Sequence, residues 1–161
     1  MIFATVGSQL PFDRLTAAVD DWAAGRPDAE LFGQVGDTDS PPANFASVST
    51  MSPQEYEKRF AEAELIVGHA GMGTIIAALE LGKPLLMLPR LARLKESRND
   101  NQLGTARHFR SFGLFEVVES ESEIPARIDH MLVDLNRYRR TADEFGVADS
   151  LIDAIREFAS T

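Results

Sequence analysis

The sequence predicts an α/β domain: one parallel sheet of about six strands with helices on both faces. Short apolar runs alternate with segments of helical periodicity, which is the pattern of repeated strand–helix units. The 161 residues are enough for one hydrophobic core, so we expect a single domain over 1–161. No apolar run approaches the roughly 20 residues of a membrane-spanning helix.

The first half of the chain supplies strands and helices in alternation. Ile2–Val6 is a first strand that ends at Gly7-Ser8, and Pro11 suits the first turn of the following helix. Gly25 and Pro27 end that helix. Further strands are predicted at Glu30–Val35 and Phe45–Val48, and a helix at Ser52–Glu62.

The stretch Ala63–Arg90 is the central unit of the predicted sheet. It reads as a strand at Leu65–Gly68, a tight loop at Gly71–Gly73, a helix at Thr74–Leu81 and a strand at Leu85–Leu88. In such a unit the loop amides and the positive end of the helix dipole face one point. The sequence therefore predicts a phosphate or diphosphate site at this loop.

The last third of the chain is predicted to be helical around one more strand. The elements are a helix at Gln102–Phe112, a strand at Leu114–Val118, a helix that starts at Ser122 or Glu123 and carries an apolar stripe to Tyr138, and a final helix with Leu151, Ile152, Ile155 and Phe158 at helical spacing. The helices of 123–161 are expected to cover the sheet or to dock a partner.

Composition excludes several functional classes. The chain has no cysteine, which excludes disulfides, thiolate nucleophiles and Cys-ligated zinc. A net charge of −9 argues against nonspecific nucleic-acid binding. MIFATVGSQ has no basic lead and reads as a strand rather than a signal peptide, so a cytoplasmic location is expected. Arg90–Arg110 is locally positive, which suits an anionic ligand but also a solvated basic loop.

Four segments fall at the carboxyl edge of the predicted sheet. They are Gly7-Ser8, the turn at Ser49–Met51, the stretch His69–Thr74 and the segment after Pro89. Parallel sheets bind ligands at this edge. Their convergence is stronger evidence for a binding site than any one motif.

The glycine cluster Gly68-x-x-Gly71-x-Gly73 matches neither common nucleotide motif. It is not the G-x-G-x-x-G fingerprint, no acidic residue ends the second strand, and no Gly-Lys-Ser/Thr follows. An NAD site and a P-loop are therefore disfavoured. Taken alone, the glycines also fit close packing of helix on strand.

Other polar residues allow two interpretations each. Asp37-Thr38-Asp39 reads as an Asx-rich turn rather than a metal site, so no metal is predicted. His69, at a strand end, is suited to donate to a phosphate or to a structural role. Asn99-Asp100-Asn101-Gln102 offers partners for sugar hydroxyls, or simply caps a helix.

Three segments together resemble the C-terminal, donor-binding domain of GT-B glycosyltransferases of the MurG type (family 28). They are MIFATVGSQLPFDRLTAAVDDWA, QVGDTDSPPANF, and HAGMGTIIAALELGKPLLMLPR followed by NDNQLGTA, within about the first 110 residues. The chain is most similar to small stand-alone versions: the cytosolic subunit of the split UDP-N-acetylglucosamine transferase and the PssE-type subunit of exopolysaccharide synthesis. The resemblance implies a Rossmann-like sheet, the C-terminal half of a GT-B fold.

The resemblance also implies a UDP-sugar as donor substrate, with no metal and no other cofactor. It places the diphosphate, the uracil and the donor sugar on three sets of residues. The diphosphate set is Gly7, Ser8, His69, Gly71, Met72, Gly73 and Thr74; the uracil set is Ser49, Thr50 and Met51; the sugar set is Arg90, Asp100, Asn101 and Gln102.

This sequence departs from the family pattern at identifiable positions. The family's Glu-His and Asp-His-Gln are Glu96-Ser97 and Asp100-Asn101-Gln102 here, and Ala77 stands where MurG-like members have a ribose-binding glutamate. A GT-B enzyme needs two such domains, and no catalytic residue is identified in this one. The resemblance therefore implies a membrane-anchored, PssD-type acceptor-binding partner, with Leu151, Ile155 and Phe158 as docking candidates.

Three functional hypotheses follow. The leading one is the donor-binding subunit of a two-component inverting glycosyltransferase in exopolysaccharide or surface glycan synthesis, peripheral to the membrane through its partner. The second is a non-catalytic nucleotide-sugar-binding or regulatory module. The third is a remnant of a GT-B-fold UDP-sugar epimerase. A homo-oligomer in isolation is compatible with each hypothesis.

Overall fold

The computed structural model describes residues 1–8, 10–111, 113, 115–139 and 153. Within these residues strands and helices alternate, as the apolar pattern predicts. The strands are Ile2–Thr5 (β1), Leu31–Gln34 (β2), Ala46–Val48 (β3), Leu65–His69 (β4), Leu85–Leu88 (β5) and Glu116–Val117 (β6). The α-helices are Asp13–Ala24 (α1), Pro53–Glu62 (α2), Met72–Leu81 (α3), Asn101–Ser111 (α4) and Ile124–Val133 (α5).

The six strands of the described residues form one sheet in the order β3-β2-β1-β4-β5-β6. Every strand pair in it is parallel. The strand order reverses between β1 and β4, which pair from Ile2 with Leu65 to Thr5 with Gly68. Connections on either side of such a reversal leave to opposite faces, so a crevice opens at the carboxyl ends of β1 and β4. The predicted parallel α/β architecture is confirmed.

Both faces of the sheet are covered, as its largely apolar strands require. All residues of β5 are buried. One face packs on α1 and α5, through Phe12, Leu15, Trp22, Ile128 and Met131. The other packs on α2, α3 and α4, through Phe60, Ile75, Leu79, Ala106 and Phe109. Burying a large apolar side chain contributes roughly 1.5–3 kcal/mol, so these two layers hold the sheet rigid.

Gly82 and Lys83 stabilise the C-terminal ends of two helices, α3 and α2. Gly82 ends α3 in the left-handed conformation, with φ of 61°. The Nζ of Lys83 donates to the carbonyl of Ala61 and, at 2.8 Å, to that of Ala63, at the C-terminus of α2. The cation therefore satisfies carbonyls that the end of α2 leaves unpaired. The Gly-Lys-Pro motif of the sequence therefore has a structural role, which is to cap the ends of α3 and α2.

Three predicted elements differ from the structure by more than one residue at an end. Helix α3 begins at Met72 instead of Thr74, so Met72 and Gly73 belong to its first turn. The sixth strand is only Glu116–Val117, and Leu114 lies outside the described residues. The predicted helix from Ser122 to Tyr138 is wrong as one element.

That helix is broken because Asp134 adopts φ of −150°. A turn of 3-10 helix at Glu121–Glu123 leads into α5, and a second one follows at Leu135–Tyr138. Apolar periodicity continues across the break, so the periodicity alone does not reveal it. The predicted final helix, with Leu151, Ile152, Ile155 and Phe158, lies outside the described residues.

Candidate functional site

Two glycine turns meet on the imidazole ring of His69. The turn after β1 brings Gly7 so close that a Cβ there would lie 2.5 Å from Nε2 of His69. The turn after β4 brings Gly71 equally close, since its Cβ would lie 2.1 Å from Cε1. Side chains at either position would overlap the ring, so both turns require glycine at the point of contact. The two turns predicted to hold the diphosphate are thus adjacent, at the reversal of strand order.

The hydrogen bonds of His69 define its tautomer. The backbone N–H of Arg90 donates to Oε1 of Gln102 at 3.1 Å, which orients the amide so that Nε2 faces Nδ1 of His69 at 3.2 Å. Nδ1 therefore accepts, and the ring proton is on Nε2, which donates to Oγ1 of Thr74 at 3.3 Å. Burial and the positive charge of Arg90 lower the pKa of His69 to about 4. His69 is neutral at pH 7 and holds the site together without contributing charge.

The N-terminus of α3 is open toward the same edge. Gly71 is its N-cap, with extended backbone and no side-chain cap. The first-turn N–H groups of an α-helix have no intrahelical acceptor. Gly73 is exposed, and a Cβ there would have nothing within 4 Å. The space in front of this helix end can therefore receive an anion, and the helix dipole favours one.

Sequence reasoning missed Gln34, which links the turns after β1 and β3. Gln34 lies beside Thr5 in the register of β1 and β2, and it is 5% exposed. Its Oε1 accepts from Oγ1 of Thr5 at 3.0 Å, and its Nε2 donates to the carbonyls of Gly7 and Ser49, each at 3.0 Å. A glutamine ending an apolar strand is the sequence signal that identifies it, because a buried amide requires partners.

The turn predicted to meet uracil lies next to these contacts. The carbonyl of Ser49 accepts from Gln34 and also from the N–H of Gly36 at 3.0 Å. Ser49 and Thr50 are exposed, and Met51 packs partly against the α2–α4 layer. The turn is held at the carboxyl edge by its first carbonyl and presents its remaining groups to solvent. Its contact with a base stays a prediction.

Arg90, predicted to contact the sugar, points into the protein. It is 4% exposed, and its guanidinium lies 4.8 Å from the ring centre of Phe12. Nη2 donates to the carbonyls of Val6 at 2.5 Å and Leu10 at 2.6 Å; Nη1 donates to those of Pro11 at 3.0 Å and Glu96 at 3.2 Å. All of these contacts are internal, three of them to the β1–α1 segment. A direct contact with a sugar has no support in this arrangement.

The other predicted sugar residues are divided between solvent and protein. Asp100 and Asn101 are exposed. Oδ1 of Asp100 accepts from the N–H of Ala92 at 2.9 Å, which folds the segment after β5 back on itself. Gln102 uses both ends of its amide, on Arg90 and His69. Asp100 and Asn101 are thus accessible to a ligand, whereas Gln102 holds the His69 ring on which the two glycine turns meet.

A second arginine joins the segment after β5 to α1. Nε and Nη2 of Arg14 contact the two carboxylate oxygens of Glu96 at 2.8 and 3.0 Å, a bidentate pair. Nη2 of Arg14 also donates to the carbonyl of Pro89 at 2.9 Å. Arg14 and Glu96 are 12% and 11% exposed, so solvent screens this pair weakly. The pair fixes the segment that begins at Arg90 against the start of α1.

The described residues contain neither a metal centre nor a membrane-spanning helix. Across the residues that the structure describes, no group of three or more His, Asp or Glu side chains is arranged to hold a metal ion. No helix in that part of the chain is both long and apolar enough to cross a membrane. The site is built from backbone turns, one helix terminus and the side chains of Thr74, Gln102 and Arg90 around His69.

Comparison with known proteins yields a family and a set of similar folds. The model of the glycosyltransferase family 28 C-terminal domain matches residues 1–155. A curated relative from Geobacillus kaustophilus (strain HTA426) is 28% identical over 102 residues, which cover 61% of this chain and 28% of the relative. It is named UDP-N-acetylglucosamine--N-acetylmuramyl-(pentapeptide) pyrophosphoryl-undecaprenol N-acetylglucosamine transferase. The match thus spans little more than a quarter of the relative's length.

Solved structures show the same fold at low sequence identity. The glycotransferase of kitacinnamycin superposes with a TM-score of 0.63 at 18% identity, over 97% of this chain and 39% of that chain. The solution structure of ALG13 superposes with a TM-score of 0.59 at 17% identity, over 83% of this chain and 85% of that chain. The Rossmann-like sheet is therefore that of one half of a GT-B glycosyltransferase. The chain belongs to the glycosyltransferase family 28 C-terminal domain family.

Proposed function

We propose that this chain binds the diphosphate of a UDP-sugar at the carboxyl edge of β1 and β4. The observation that carries the proposal is the meeting of the Gly7 and Gly71 turns on His69, beside the open N-terminus of α3. Backbone amides and a helix dipole suit a diphosphate without a bound cation. In this proposal the Ser49–Met51 turn, which is tied to Gly7 through Gln34, contacts the base, and the exposed Asp100 and Asn101 contact the sugar.

The proposed chemistry is inverting glycosyl transfer. An acceptor hydroxyl attacks the anomeric carbon, the bond from that carbon to the β-phosphate oxygen breaks, and UDP leaves with the electron pair. Amides of the two turns and the dipole of α3 stabilise the negative charge that develops on UDP. A general base must remove the proton of the acceptor hydroxyl. We assign that base to a second subunit, because GT-B chemistry takes place between two domains.

The finer proposal is a two-component enzyme of exopolysaccharide or surface glycan synthesis. This chain would supply the donor half, and a membrane-anchored, PssD-type subunit would supply acceptor and base. The family assignment supports this proposal, because the matching model describes a C-terminal domain, which is one half of a two-domain enzyme. Co-purification with such a subunit, and transfer only when both are present, is the expected result. Full transfer by this chain alone would refute the two-component proposal.

Gly73 offers a sharp test of the binding site. A Cβ at Gly73 meets no protein atom within 4 Å, so G73A preserves the fold while placing a methyl group before the helix N-terminus. Gly104 in α4 is equally open, and G104A is the matched control. Calorimetry with UDP and a panel of UDP-sugars is expected to show weaker binding for G73A only. Equal UDP affinity in G73A and the wild-type protein would refute the site.

A second candidate, a nucleotide-sugar-binding or regulatory module without transferase activity, is supported by one specific position. Ala77, partly buried on α3, stands where MurG-like relatives are expected to have the ribose-binding glutamate. An alanine cannot accept a hydrogen bond from ribose hydroxyls. Reconstitution with a candidate acceptor subunit distinguishes the two functions. Binding of UDP-sugar without transfer in the reconstituted pair would favour the module.

A further inference from the structure

The buried side chains around Arg90 carry an excess of positive charge. Arg90, Arg14 and Glu96 are 4%, 12% and 11% exposed, so two cations face one carboxylate. That carboxylate is occupied: it forms the bidentate pair with Arg14 and accepts from the N–H of Leu91 at 2.9 Å. Glu121 also contacts Arg14 at 3.1 Å, but it is 48% exposed. The guanidinium of Arg90 contacts carbonyl oxygens and has no carboxylate of its own among these groups.

A buried cation without a paired anion is costly unless it serves another group. The contacts of Arg90 lead directly to the proposed phosphate turn. Nη2 binds the carbonyls of Val6 and Leu10, which flank Gly7 and Ser8 on both sides. These hydrogen bonds to the guanidinium fix the chain on either side of Gly7 and Ser8. The N–H of Gly7 donates to Oγ1 of Thr5 at 3.3 Å, so the amide that we assign to the diphosphate in this turn is that of Ser8. The fork geometry of arginine makes this arrangement possible, because one planar group reaches several acceptors.

We propose that Arg90 is a positioning residue for the diphosphate: it fixes the Gly7–Ser8 turn through the carbonyls of Val6 and Leu10, and supplies the buried positive charge that the diphosphate balances. This inference rests on the proposed UDP-sugar site and changes the role of Arg90 within it. The resemblance implies a contact to the donor sugar, whereas the geometry assigns Arg90 to the turn that is proposed to hold the diphosphate. Arg90 acts through the turn and through space, without touching the ligand.

The test compares ligands that differ only in phosphate. UDP, UMP and uridine are titrated into the wild-type chain, R90M, R90K and the control R127M, which removes an arginine on α5 paired with Glu116 at 2.8 Å. R90M is expected to bind UDP about tenfold more weakly or worse, the loss typical of a hydrogen-bonded charge, with uridine affinity nearly unchanged. R90K is expected to recover only part of the UDP affinity, because an ammonium lacks the fork. R127M is expected to match the wild type.

Two results would overturn the proposal while leaving the site intact. One is wild-type UDP affinity in folded R90M; the other is an equal loss for UDP and uridine, which indicates a merely structural role. If the wild-type chain binds no UDP, the proposed function itself fails. Should neither variant fold, the salt dependence of wild-type UDP binding decides. A buried cation is weakly screened, so a change below about threefold between 50 and 500 mM salt supports Arg90, and a steep decline indicates surface cations.

Discussion

The amide of Gln102 and the imidazole of His69 are joined by a 3.2 Å hydrogen bond that links α4 to the end of β4. The other end of the amide accepts from the N–H of Arg90, immediately after β5. One side chain thus connects three elements at the carboxyl edge. Because this bond requires an unprotonated Nδ1, the protonation of His69 and the integrity of the site are coupled.

The stability of the protein is expected to depend on pH through His69. The pKa of His69 is about 4 in the folded protein, against 6.5 for a histidine in the unfolded chain. Between these two pKa values the unfolded chain binds a proton at His69 and the folded protein does not. The contribution of His69 to the free energy of unfolding is therefore complete above pH 6.5, decreases as the pH falls, and is lost by about pH 4. The expected loss is roughly 3 kcal/mol of unfolding free energy. Urea denaturation across this range measures it.

H69Q is the variant that isolates this effect, because it removes the titrating ring and keeps a polar group. H108Q is the control, since His108 is exposed on α4. Between pH 6.5 and 4 the wild-type protein and H108Q are expected to lose more stability than H69Q. Parallel curves for the wild type and H69Q would contradict the coupling.

A double-mutant cycle between Thr5 and Gln34 is expected to show coupling. Q34M leaves the Thr5 hydroxyl and the carbonyls of Gly7 and Ser49 short of a buried partner, at a cost of roughly 1–3 kcal/mol. T5V removes the hydroxyl that Oε1 of Gln34 accepts from. The double variant is expected to lose less free energy of unfolding than the sum of the two single losses. Additive losses would show that the 3.0 Å hydrogen bond between them contributes little.

The fold was largely predictable from the sequence because its core strands are continuous apolar runs. Leu85–Leu88 has the same bounds in prediction and structure, and the α3 unit differs only by two residues at its start. What periodicity could not supply was the break at Asp134, a single backbone angle inside an unbroken apolar stripe. Apolar runs in the sequence predict a strand or helix well when its bounds are determined by burial against the sheet.

The candidate site was predictable in position but not in role. The sequence identifies the glycine turns, but for His69 it leaves open a phosphate donor or a structural role and does not predict that the ring contacts both glycines. For Arg90 the resemblance implies a sugar contact, whereas the structure turns its guanidinium toward internal carbonyls. Its inward direction is set by carbonyls of a segment about 80 residues earlier in the chain. Such long-range partners leave no local signature, and for the same reason Gln34 was missed.

Lys83 is expected to stabilise the protein without affecting ligand binding. K83M removes the cation from the carbonyls of Ala61 and Ala63 at the end of α2, far along the sheet from the glycine turns. The expected loss is about 1–2 kcal/mol of unfolding free energy, with unchanged affinity for UDP. Lys58 is exposed on α2, so K58M is the control and is expected to change little. A similar effect of both variants would refute the capping role.

Removal of the His69 ring is expected to change the cost of a substitution at Gly71 more than the cost of one at Gly7. At Gly71 the backbone has φ of −88° and the helix N-cap favours serine, so only the ring opposes G71S. In the wild-type background the overlap is expected to cost about 1–3 kcal/mol. In the H69A background the same substitution is expected to be neutral or stabilising, because the ring is gone and the hydroxyl caps α3.

At Gly7 the ring is only part of the obstacle. Its φ of +81° is unfavourable for any L side chain, at roughly 1–2 kcal/mol. G7A is therefore expected to stay destabilising in the H69A background, although less so than in the wild type. Urea denaturation of the two double-mutant cycles gives both coupling energies. If G71S remained as costly without the ring as with it, the contact with His69 would not be the reason that this turn requires glycine. The claim that the ring links the two glycine turns would then be refuted.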